Sequence, residues 1–479
     1  MKKKTLYFLC AFNFYLIASM LQAVPCEGPG QDYPLSKIKE NMQINRLSDR
    51  VIVLTGLLLP AGGYITAVNT EKGIVVIDTG ASLGAAELCR EMIQNEFPEK
   101  DFTYIIHTHA HGDHIGANQV FPETKIIAHK NSLKYFSDYS KPNLFDDMIP
   151  MLNNQIKTLR QRMEGMEKDS EDWKITEMRL ALLEQMLLDA DKGYHIRFPS
   201  LTFDKEMCLF LGDLTFRMYA FLNYHSDCDI LIHIPEEGVL LMGDTLSRSS
   251  LSGTNAIAAS VDVPGWINTL DRIMEEGQGV KHAVRGHSYV MNYEEVKVRR
   301  DYIKQIWDAV KDKNAQGQTP EDIIPQLPLE NFNYITKLYQ RKPEQLKSQH
   351  ERIITGFWRQ LQGRRFATEI LARINRESGM EVAIKEFKNM INEKEKFFFN
   401  EGIVNSYASM LVEEGDIKNA LELYRLNAVI FPESAEIYSG MGDAFQIAGN
   451  MDAAVKAYKK ALELDPEDKR TAEKLKKIR

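Results

Sequence analysis

A short segment of the chain concentrates side chains that can bind a metal ion. Residues 108–114 read Thr-His-Ala-His-Gly-Asp-His and directly follow an apolar run that begins at Tyr104. With 11 histidines among 479 residues, three histidines and one aspartate in this pattern form a specific motif. Protonated imidazoles would repel one another, whereas neutral imidazoles and a carboxylate at a strand end can surround one cation. We therefore predict a metal site at His109, His111, Asp113 and His114.

The pattern His109-x-His111-x-Asp113-His114 resembles the signature of the metallo-β-lactamase superfamily. Upstream, residues 73–80 (Gly-Ile-Val-Val-Ile-Asp-Thr-Gly) resemble that family's early strand, which ends in an aspartate. Its third, fourth and fifth motifs resemble, in order, residues 224–227 (Tyr-His-Ser-Asp), 241–244 (Leu-Met-Gly-Asp) and 285–288 (Arg-Gly-His-Ser). The resemblance covers about residues 46–310, roughly 55 % of the chain, and implies an α/β domain with the four-layer αββα fold of that family.

The resemblance also implies a ligand set and a reaction. One metal ion would be bound by His109, His111 and His225, and a second by Asp113, His114 and His287, with Asp244 bridging the two. Imidazole and carboxylate ligands suit Zn²⁺, and their type also allows iron or manganese. Two such ions about 3.5–4 Å apart hold a bridging hydroxide that attacks an electrophilic carbon, phosphorus or sulfur. The implied activity is hydrolysis of a small-molecule substrate with two Zn²⁺ as cofactors, and Asp113 is the candidate catalytic residue.

The residue at position 244 separates branches of this superfamily. Zinc β-lactamases typically have Cys or Ser at the fourth motif, whereas Asp244 resembles the glyoxalase-II-like and lactonase-like branches. This favours an ester, lactone, thioester or sulfate ester over a β-lactam, although alkylsulfatases have Glu where Asp244 stands. The one-iron persulfide dioxygenases share much of the motif, so an oxidoreductase is the alternative enzyme. A repeat-based interaction scaffold is the non-enzymatic alternative, and the complete ligand set favours catalysis over it.

Several other polar residues lie near these motifs. Asp78 either orients ligand imidazoles or caps the turn after its strand, and both interpretations stay open. Strand alternation predicts that His107 is a buried, hydrogen-bonded side chain and not a ligand. Cys228 has no ligand position in the resemblance, and Arg248 is expected to be a solvated surface residue, with anion binding as its alternative. The other histidines are predicted to be structural, namely His129, His195, His233, His282 and His350.

The elements that must position the motifs can be read from hydrophobic spacing. Short β-rich runs at 51–55, 64–70, 74–78, 104–107 and 125–129 predict strands, with a helix over 83–97. A second β-rich block over 214–243 predicts the other half of the same domain. Between the halves, apolar residues at helical spacing on either side of a Ser170 cap predict a helical hairpin inserted at about 143–191. Spacing alone leaves open whether it is a lid, a dimer contact or a packed decoration, so a homodimer is one alternative.

An all-α domain is predicted towards the C-terminus. Residues 435–468 fit the period of about 34 residues of a tetratricopeptide repeat, with Tyr438, Gly442 and Tyr458 at characteristic positions. Residues 401–434 resemble a second repeat, and an earlier unit is degenerate. Because one repeat cannot bury its own apolar face, about three stacked units and the basic end helix predict a small solenoid that can bind a protein partner. The predicted limits are a metallo-β-lactamase-like domain over 24–310, a helical linker over 311–366 and a tetratricopeptide-like domain over 367–479.

The N-terminus and the charge balance predict the compartment and exclude one class of partner. Lys2 to Lys4, an apolar run from Leu6 to Leu21, and Ala23 form the three regions of a signal peptide over 1–23. An uncleaved membrane anchor and lipidation at Cys26 are the alternatives. Lys and Arg number 59 against 67 Asp and Glu, a formal charge of -8 that becomes -11 when the three lysines are removed. We therefore expect a secreted or periplasmic protein that does not bind nucleic acid.

Overall fold

The structure is a computed structural model that describes residues 33–56, 63–141, 144–220, 225–246, 251, 262–276, 279–287, 290–338, 343–413 and 415–478. The predicted signal peptide, Cys26, Arg248 and most of the segment that follows Asp244 lie outside these residues. The chain divides into two compact units between Trp358 and Arg359. This division falls inside the predicted helical linker of 311–366, and the domain limits stay predictions.

The first unit contains a seven-stranded sheet whose strands lie in chain order: β1 Met42–Arg46, β2 Val51–Gly56, β3 Ile65–Thr70, β4 Gly73–Ile77, β5 Phe102–Ile106, β6 Lys125–His129 and β7 Leu201–Phe203. Neighbours are antiparallel from β1 to β4 and parallel from β4 to β7. Strand β4 is buried at every residue, as its Val/Ile-rich sequence predicts for a central strand. Because parallel strands end at the same sheet edge, Asp78 after β4 lies beside the motif after β5.

A six-stranded sheet forms the second half of this unit: β8 Glu206–Leu211, β9 Leu214–Ala220, β10 Ile230–Ile234, β11 Val239–Leu241, β12 His282–Val284 and β13 Met291–Asn292. The strands again lie in chain order, and only β11 and β12 pair in parallel. Strands β9 to β11 lie in the predicted β-rich block. The sequence patterns did not indicate β1, β7, β8, β12 or β13. Strands β7, β12 and β13 have only two or three residues, and β8 lacks an alternation of apolar and polar residues, whereas β1 does alternate and its pattern was an available signal.

The helices of the first unit are α1 Tyr33–Asn41, α2 Leu83–Glu96, α3 Gly112–Ile115, α4 Leu133–Tyr139, α5 Leu144–Glu164, α6 Glu171–Asp189, α7 Val263–Glu276, α8 Tyr293–Ala315, α9 Pro320–Ile323, α10 Asn333–Thr336 and α11 Pro343–Leu361, which crosses into the second unit. Helix α2 matches the prediction over 83–97 and begins at the Ser82 cap. Helices α5 and α6 form the predicted hairpin, and the Ser170 hydroxyl accepts a hydrogen bond from the Trp173 N–H.

The first unit has four layers, with one apolar core between its two sheets and another on the outer face of the first sheet. The larger core lies between the sheets, where Val75 and Ile106 belong to one cluster with Phe216 and Ile232. On the outer face of the first sheet, alternate residues such as Val76 pack against α1, α2 and α6. Helix α7 covers the outer face of the second sheet through Arg272, whose guanidinium pairs with Glu206 on β8 and lies 4.9 Å from the Tyr219 ring centroid. The order of helix, sheet, sheet and helix is the predicted αββα fold.

The helical segment before residue 358 packs around a buried histidine. His350 on α11 lies 2.7 Å from the Tyr302 hydroxyl on α8 through Nδ1 and donates through Nε2 to the Leu327 carbonyl at 2.6 Å. Both ring nitrogens therefore have partners, as predicted for a structural histidine. Burial lowers the pKa of His350, so the neutral imidazole is the form that the fold stabilises.

The second unit is a series of antiparallel helices: α12 Ala367–Ser378, α13 Met380–Asn392, α14 Glu401–Glu413, α15 Ile417–Ile430, α16 Ala435–Ile447, α17 Met451–Leu464 and α18 Lys469–Lys477, with two short strands, β14 Arg365–Phe366 and β15 Phe397–Phe398. Helices α16 and α17 span the predicted repeat at 435–468. Gly442 on α16 lets the Tyr458 ring of α17 approach closely, since an added Cβ would lie 2.4 Å from that ring. This packing is the physical reason for the spacing of small and aromatic residues in the motif.

Within the described part of the chain, the structure has no helix that combines the length and the apolar character needed to cross a bilayer.

Candidate metal centre

Three of the predicted ligands meet at the carboxyl end of β5. His109 and His111 follow this strand, and His225 lies just before β10 on the second sheet. The Nδ1 atom of His111 is 3.0 Å from His109 Nε2 and 3.0 Å from His225 Nε2. These three nitrogens form one of the groups that could hold a metal ion. The structure therefore brings together His109 and His225, which are 116 positions apart in the sequence.

Asp113, His114 and His287 form a second group beside the first. The short helix α3 presents Asp113 and His114, while His287 follows β12. The Nε2 atom of His287 is 3.3 Å from His114 Nε2 and 3.1 Å from Asp113 Oδ2. His114 is fully buried, whereas the side chain of His287 is 31 % exposed. Access from solvent to this group is therefore on the His287 side.

Asp244 joins the two groups. Its Oδ2 atom lies 3.5 Å from His225 Nε2 and 3.1 Å from His287 Nε2, and its Oδ1 atom lies 3.6 Å from His114 Nε2. Position 286 next to Asp244 requires glycine, because a Cβ there would lie 2.1 Å from Asp244 Oδ1. All of the predicted ligands thus face one small volume.

Electrostatics differ between the two groups. Burial, followed by the charges of neighbouring histidines, lowers the pKa of His109 well below its usual range. Burial likewise lowers the pKa of His111, and it lowers the pKa of His225 to about 3. These three imidazoles are therefore neutral at pH 7, with nitrogen lone pairs available for a cation.

In the second group, carboxylates act against burial. Burial lowers the pKa of His287, but the Asp244 and Asp113 carboxylates outweigh it and raise that pKa to about 10. For His114 too, these carboxylates and Asp78 outweigh burial and raise the pKa well above the usual value. The group therefore holds protons on its histidines to balance buried negative charge.

The donor set fits a pair of cations. Neutral imidazoles converge on one point, and a site with excess carboxylate charge lies next to it, so bound cations could replace the protons that balance this charge. Asp113 Oδ1 and Asp244 Oδ1 are buried and have no hydrogen-bond partner among the described residues, as expected of oxygens available for coordination. His109, His111 and His225 would hold one ion, Asp113, His114 and His287 the other, and Asp244 could contact both.

Asp78 orients two of these histidines. Its Oδ2 atom is 2.8 Å from His114 Nδ1 and accepts from the Thr108 hydroxyl at 2.7 Å, and its Oδ1 accepts from the Thr108 N–H at 2.8 Å. The Thr108 oxygen in turn lies 3.2 Å from His109 Nδ1. Because a hydroxyl that donates to Asp78 accepts from His109, both histidines carry their proton on Nδ1 and direct Nε2 to the site. Of the two interpretations of Asp78, the structure supports the orienting one.

Sequence reasoning assigned no role to Asp229, which fixes the backbone of the third motif. Its Oδ2 atom accepts from the His225 N–H at 2.7 Å and from the Ser226 N–H at 2.8 Å. Burial raises the pKa of Asp229 to about 7. Its position four residues after His225, at the start of a strand, was the available signal, because an acidic side chain there can bond the preceding turn.

The remaining predicted residues lie outside the ligand groups or outside the described residues. His107 is buried and belongs to neither group, as predicted, but it lacks the predicted hydrogen bond. Neither ring nitrogen has a hydrogen-bond partner among the described residues, and Nδ1 lies 3.7 Å from Asp78 Oδ1. Cys228 lies in an apolar cluster with Phe136, and burial raises the pKa of its thiol. His129 donates from Nε2 to the Asp204 carbonyl at 2.8 Å. Arg248 lies outside the described residues, so no contact is assigned to it.

Comparison with known proteins shows which families two parts of the chain resemble. Residues 59–141 match the family model of the metallo-beta-lactamase superfamily, and residues 435–468 match that of the tetratricopeptide repeat. The chain therefore contains a metallo-β-lactamase superfamily region, which includes the His109–His114 motif, and a tetratricopeptide repeat.

Two curated relatives are metallo-beta-lactamases type 2. That of Bacillus cereus is 27 % identical over 137 residues, which are 27 % of this chain and 52 % of the relative. That of Bacillus sp. (strain 170) is 33 % identical over 98 residues, which are 19 % of this chain and 37 % of the relative. The chain thus spans about half the length, or less, of these relatives. Among solved structures, the inverting sec-alkylsulfatase Pisa1 from Pseudomonas sp. has 14 % identity and a TM-score of 0.45, with 90 % of this chain and 67 % of that chain covered.

Proposed function

We propose that this chain is a binuclear zinc-dependent hydrolase that acts on an ester-like bond, in an ester, lactone, thioester or sulfate ester. One observation carries the proposal: the Asp244 carboxylate lies between two three-residue donor groups, 3.5 Å from His225 and 3.1 Å from His287. A single group of three imidazoles would suit one metal ion, whereas a second group joined to it by a shared carboxylate supports two.

The residues of the chain would hold the metals and manage a proton. When bound, two zinc ions would supply a water-derived nucleophile at neutral pH and would stabilise negative charge that develops on the substrate. Asp78 and Thr108 keep the His109 and His114 tautomers in the form that binds metal. Asp113 is the residue we propose to accept a proton during the reaction, through the carboxylate oxygen that does not bind metal.

Metal analysis of the purified chain from residue 24 to 479 tests this proposal. We expect about two zinc ions per chain, with less metal and no hydrolysis in His111→Ala and Asp244→Ala. His195→Ala is the matched control, because His195 is an exposed histidine outside both groups. One iron per chain that is unaffected by Asp244→Ala would support the dioxygenase alternative. A metal-free chain would support the scaffold alternative.

The substrate class is tested with the same preparation. Chromogenic esters, lactones, thioesters and sulfate esters are compared with a β-lactam at equal concentration. Because Asp244 replaces the Cys or Ser that is typical of zinc β-lactamases, we expect faster turnover of at least one ester-type substrate than of the β-lactam. A β-lactam that is hydrolysed faster than all of the others would overturn the substrate class but not the metal centre.

We also propose that the protein is secreted or periplasmic and that its repeats bind a protein partner. The signal-like residues 1–23 support the first proposal, and the repeat at 435–468 supports the second. Fractionation of cells that produce the full chain, with N-terminal sequencing, tests cleavage after Ala23. Affinity capture with the full chain and with a chain that ends at residue 366 tests the repeats, and identical sets of captured proteins would contradict a role for them.

A further inference from the structure

A buried carboxylate connects the inserted helical hairpin to the first turn of α2. Asp189, the last residue of α6, is 1 % exposed. Its Oδ2 atom accepts from the Ser82 hydroxyl at 2.7 Å, and its Oδ1 atom accepts from the Gly84 N–H at 3.1 Å and from Gln185 Nε2 at 2.8 Å. Lys192 lies 3.9 Å from the same Oδ1 atom. Because a buried carboxylate is costly without such partners, these bonds hold the base of the hairpin in one position.

The same turn is also held by apolar contacts from both hairpin helices. Ala81 forms a buried cluster with Met148 and Leu152 on α5 and Met186 on α6. Ser82 is fully buried and caps α2, since its hydroxyl accepts from the Ala85 N–H at 3.2 Å while it donates to Asp189. The hairpin therefore contacts Ala81 through apolar packing and Ser82 through a hydrogen bond.

The residues just before Ala81, at positions 78–80, contact His114 and the end of its helix. Asp78 is 2.8 Å from His114 Nδ1, and the Thr79 N–H donates to the His114 carbonyl at 2.8 Å. The Gly80 carbonyl accepts from the Ala117 N–H at 3.0 Å, just after α3. Residues 78–82 thus form one short segment, which contacts the ligand-bearing helix on one side and the inserted hairpin on the other.

We propose that the α5–α6 hairpin positions the second metal group, and that Asp189 is the positioning residue that acts through Ser82 and the segment 78–82 on His114. This inference rests on the proposed binuclear function, because it concerns the affinity of the Asp113, His114 and His287 group. It gives the insertion a role other than decoration. At its α6 end the hairpin stays docked, since release would break the bonds from Ser82 and Gly84 to Asp189 and expose the apolar cluster around Ala81.

The prediction is a selective loss of zinc binding at the Asp113, His114 and His287 group. In Asp189→Asn, the amide cannot accept from all three donors at once, so the turn at Ser82 loses its fixed position. In the full chain from residue 24, we expect zinc binding at the Asp113, His114 and His287 group to weaken by about 2- to 30-fold, with binding at the His109, His111 and His225 group unchanged. Ser82→Ala removes the bond to Asp189 and the cap on the Ala85 N–H but leaves the Asp189 bonds to Gly84 and Gln185, so it should produce a smaller loss of the same kind. In the double variant, the loss of zinc-binding free energy should not exceed the sum of the losses in the two single variants.

Stepwise zinc titration against a chelating dye measures both steps, and the Co²⁺ absorption spectrum reports the geometry of the second group independently of activity. Met178→Ala is the matched control: Met178 lies on the same helix and is buried in the core against the first sheet, away from Ser82. This variant should lower the melting temperature and leave both zinc affinities within about twofold of wild type.

Two results would overturn the inference alone. One is a zinc affinity of the Asp113, His114 and His287 group that equals wild type in Asp189→Asn and Ser82→Ala, even if stability falls. The other is an equal weakening of both steps in Met178→Ala and Asp189→Asn, which would indicate general destabilisation. A wild-type chain with a single zinc-binding step would instead remove the proposed binuclear function, and this inference with it.

Discussion

Asp78→Asn is the most direct test of how the chain controls its metal ligands. Asp78 has a φ of 58°, a left-handed conformation that asparagine also tolerates, so the backbone should be retained. The substitution exchanges one carboxylate oxygen for an NH₂ group. If that group faces His114 Nδ1, it donates there and moves the imidazole proton to Nε2, the atom that faces the second group. If it faces the Thr108 N–H, two donors oppose each other inside the protein.

Either arrangement weakens metal binding by a predictable amount. Loss of a partner that orients a ligand histidine typically costs about 10- to 100-fold in metal affinity, which is about 1.4–2.8 kcal/mol. The loss should be greatest at the Asp113, His114 and His287 group, because His114 is bonded to Asp78 directly. His109 is bonded to it only through Thr108, so the His109, His111 and His225 group should change less.

Competition with a chelating dye, followed by activity at saturating zinc, measures this effect. Asp204→Asn is the matched control, since it removes the same charge at the end of β7 from a residue in neither ligand group. The reasoning would be refuted by an Asp78→Asn chain that is folded and binds both zinc ions as tightly as wild type. Equal losses in Asp78→Asn and Asp204→Asn would refute it too, because only net charge would then matter.

Three other perturbations probe the rest of the molecule. Gly442→Ala places a Cβ 2.4 Å from the Tyr458 ring and should cost about 1–3 kcal/mol in urea unfolding, whereas Gly402→Ala, 3.7 Å from its nearest neighbour, should be neutral or stabilising by up to about 1 kcal/mol; equal effects would contradict this packing. Because burial lowers the pKa of His350, the unfolded chain binds more protons than the folded chain, so the free energy of unfolding should fall as the pH drops below about 6.5. This fall should be less steep in His350→Asn, and identical pH slopes of the two chains in calorimetry would contradict the prediction. Under native conditions a maleimide should label exposed Cys208 before the two buried cysteines of the described chain, and peptide mapping of either buried site at a comparable rate would show that its burial is not maintained.

Local sequence patterns determined the elements that carry the site. The Val/Ile-rich runs around residues 51–77 and 102–129 are strands because apolar, β-branched residues fit the buried faces of a sheet. The hairpin and the repeat at 435–468 follow from helical spacing, which depends only on residues close in sequence. The motif at 108–114 was equally local, so its chemistry could be predicted without a structure.

Tertiary structure alone decided the relations between distant residues. That Asp78 contacts His114 and Thr108, and not merely its own turn, depends on the parallel pairing of β4 and β5. The link from Asp189 to Ser82 joins residues 107 positions apart, and no spacing rule connects them. Such contacts arise from the packing of whole elements, which a one-dimensional pattern does not contain. The sequence by itself therefore determined which side chains could bind metal, and the folded chain determined which groups orient them.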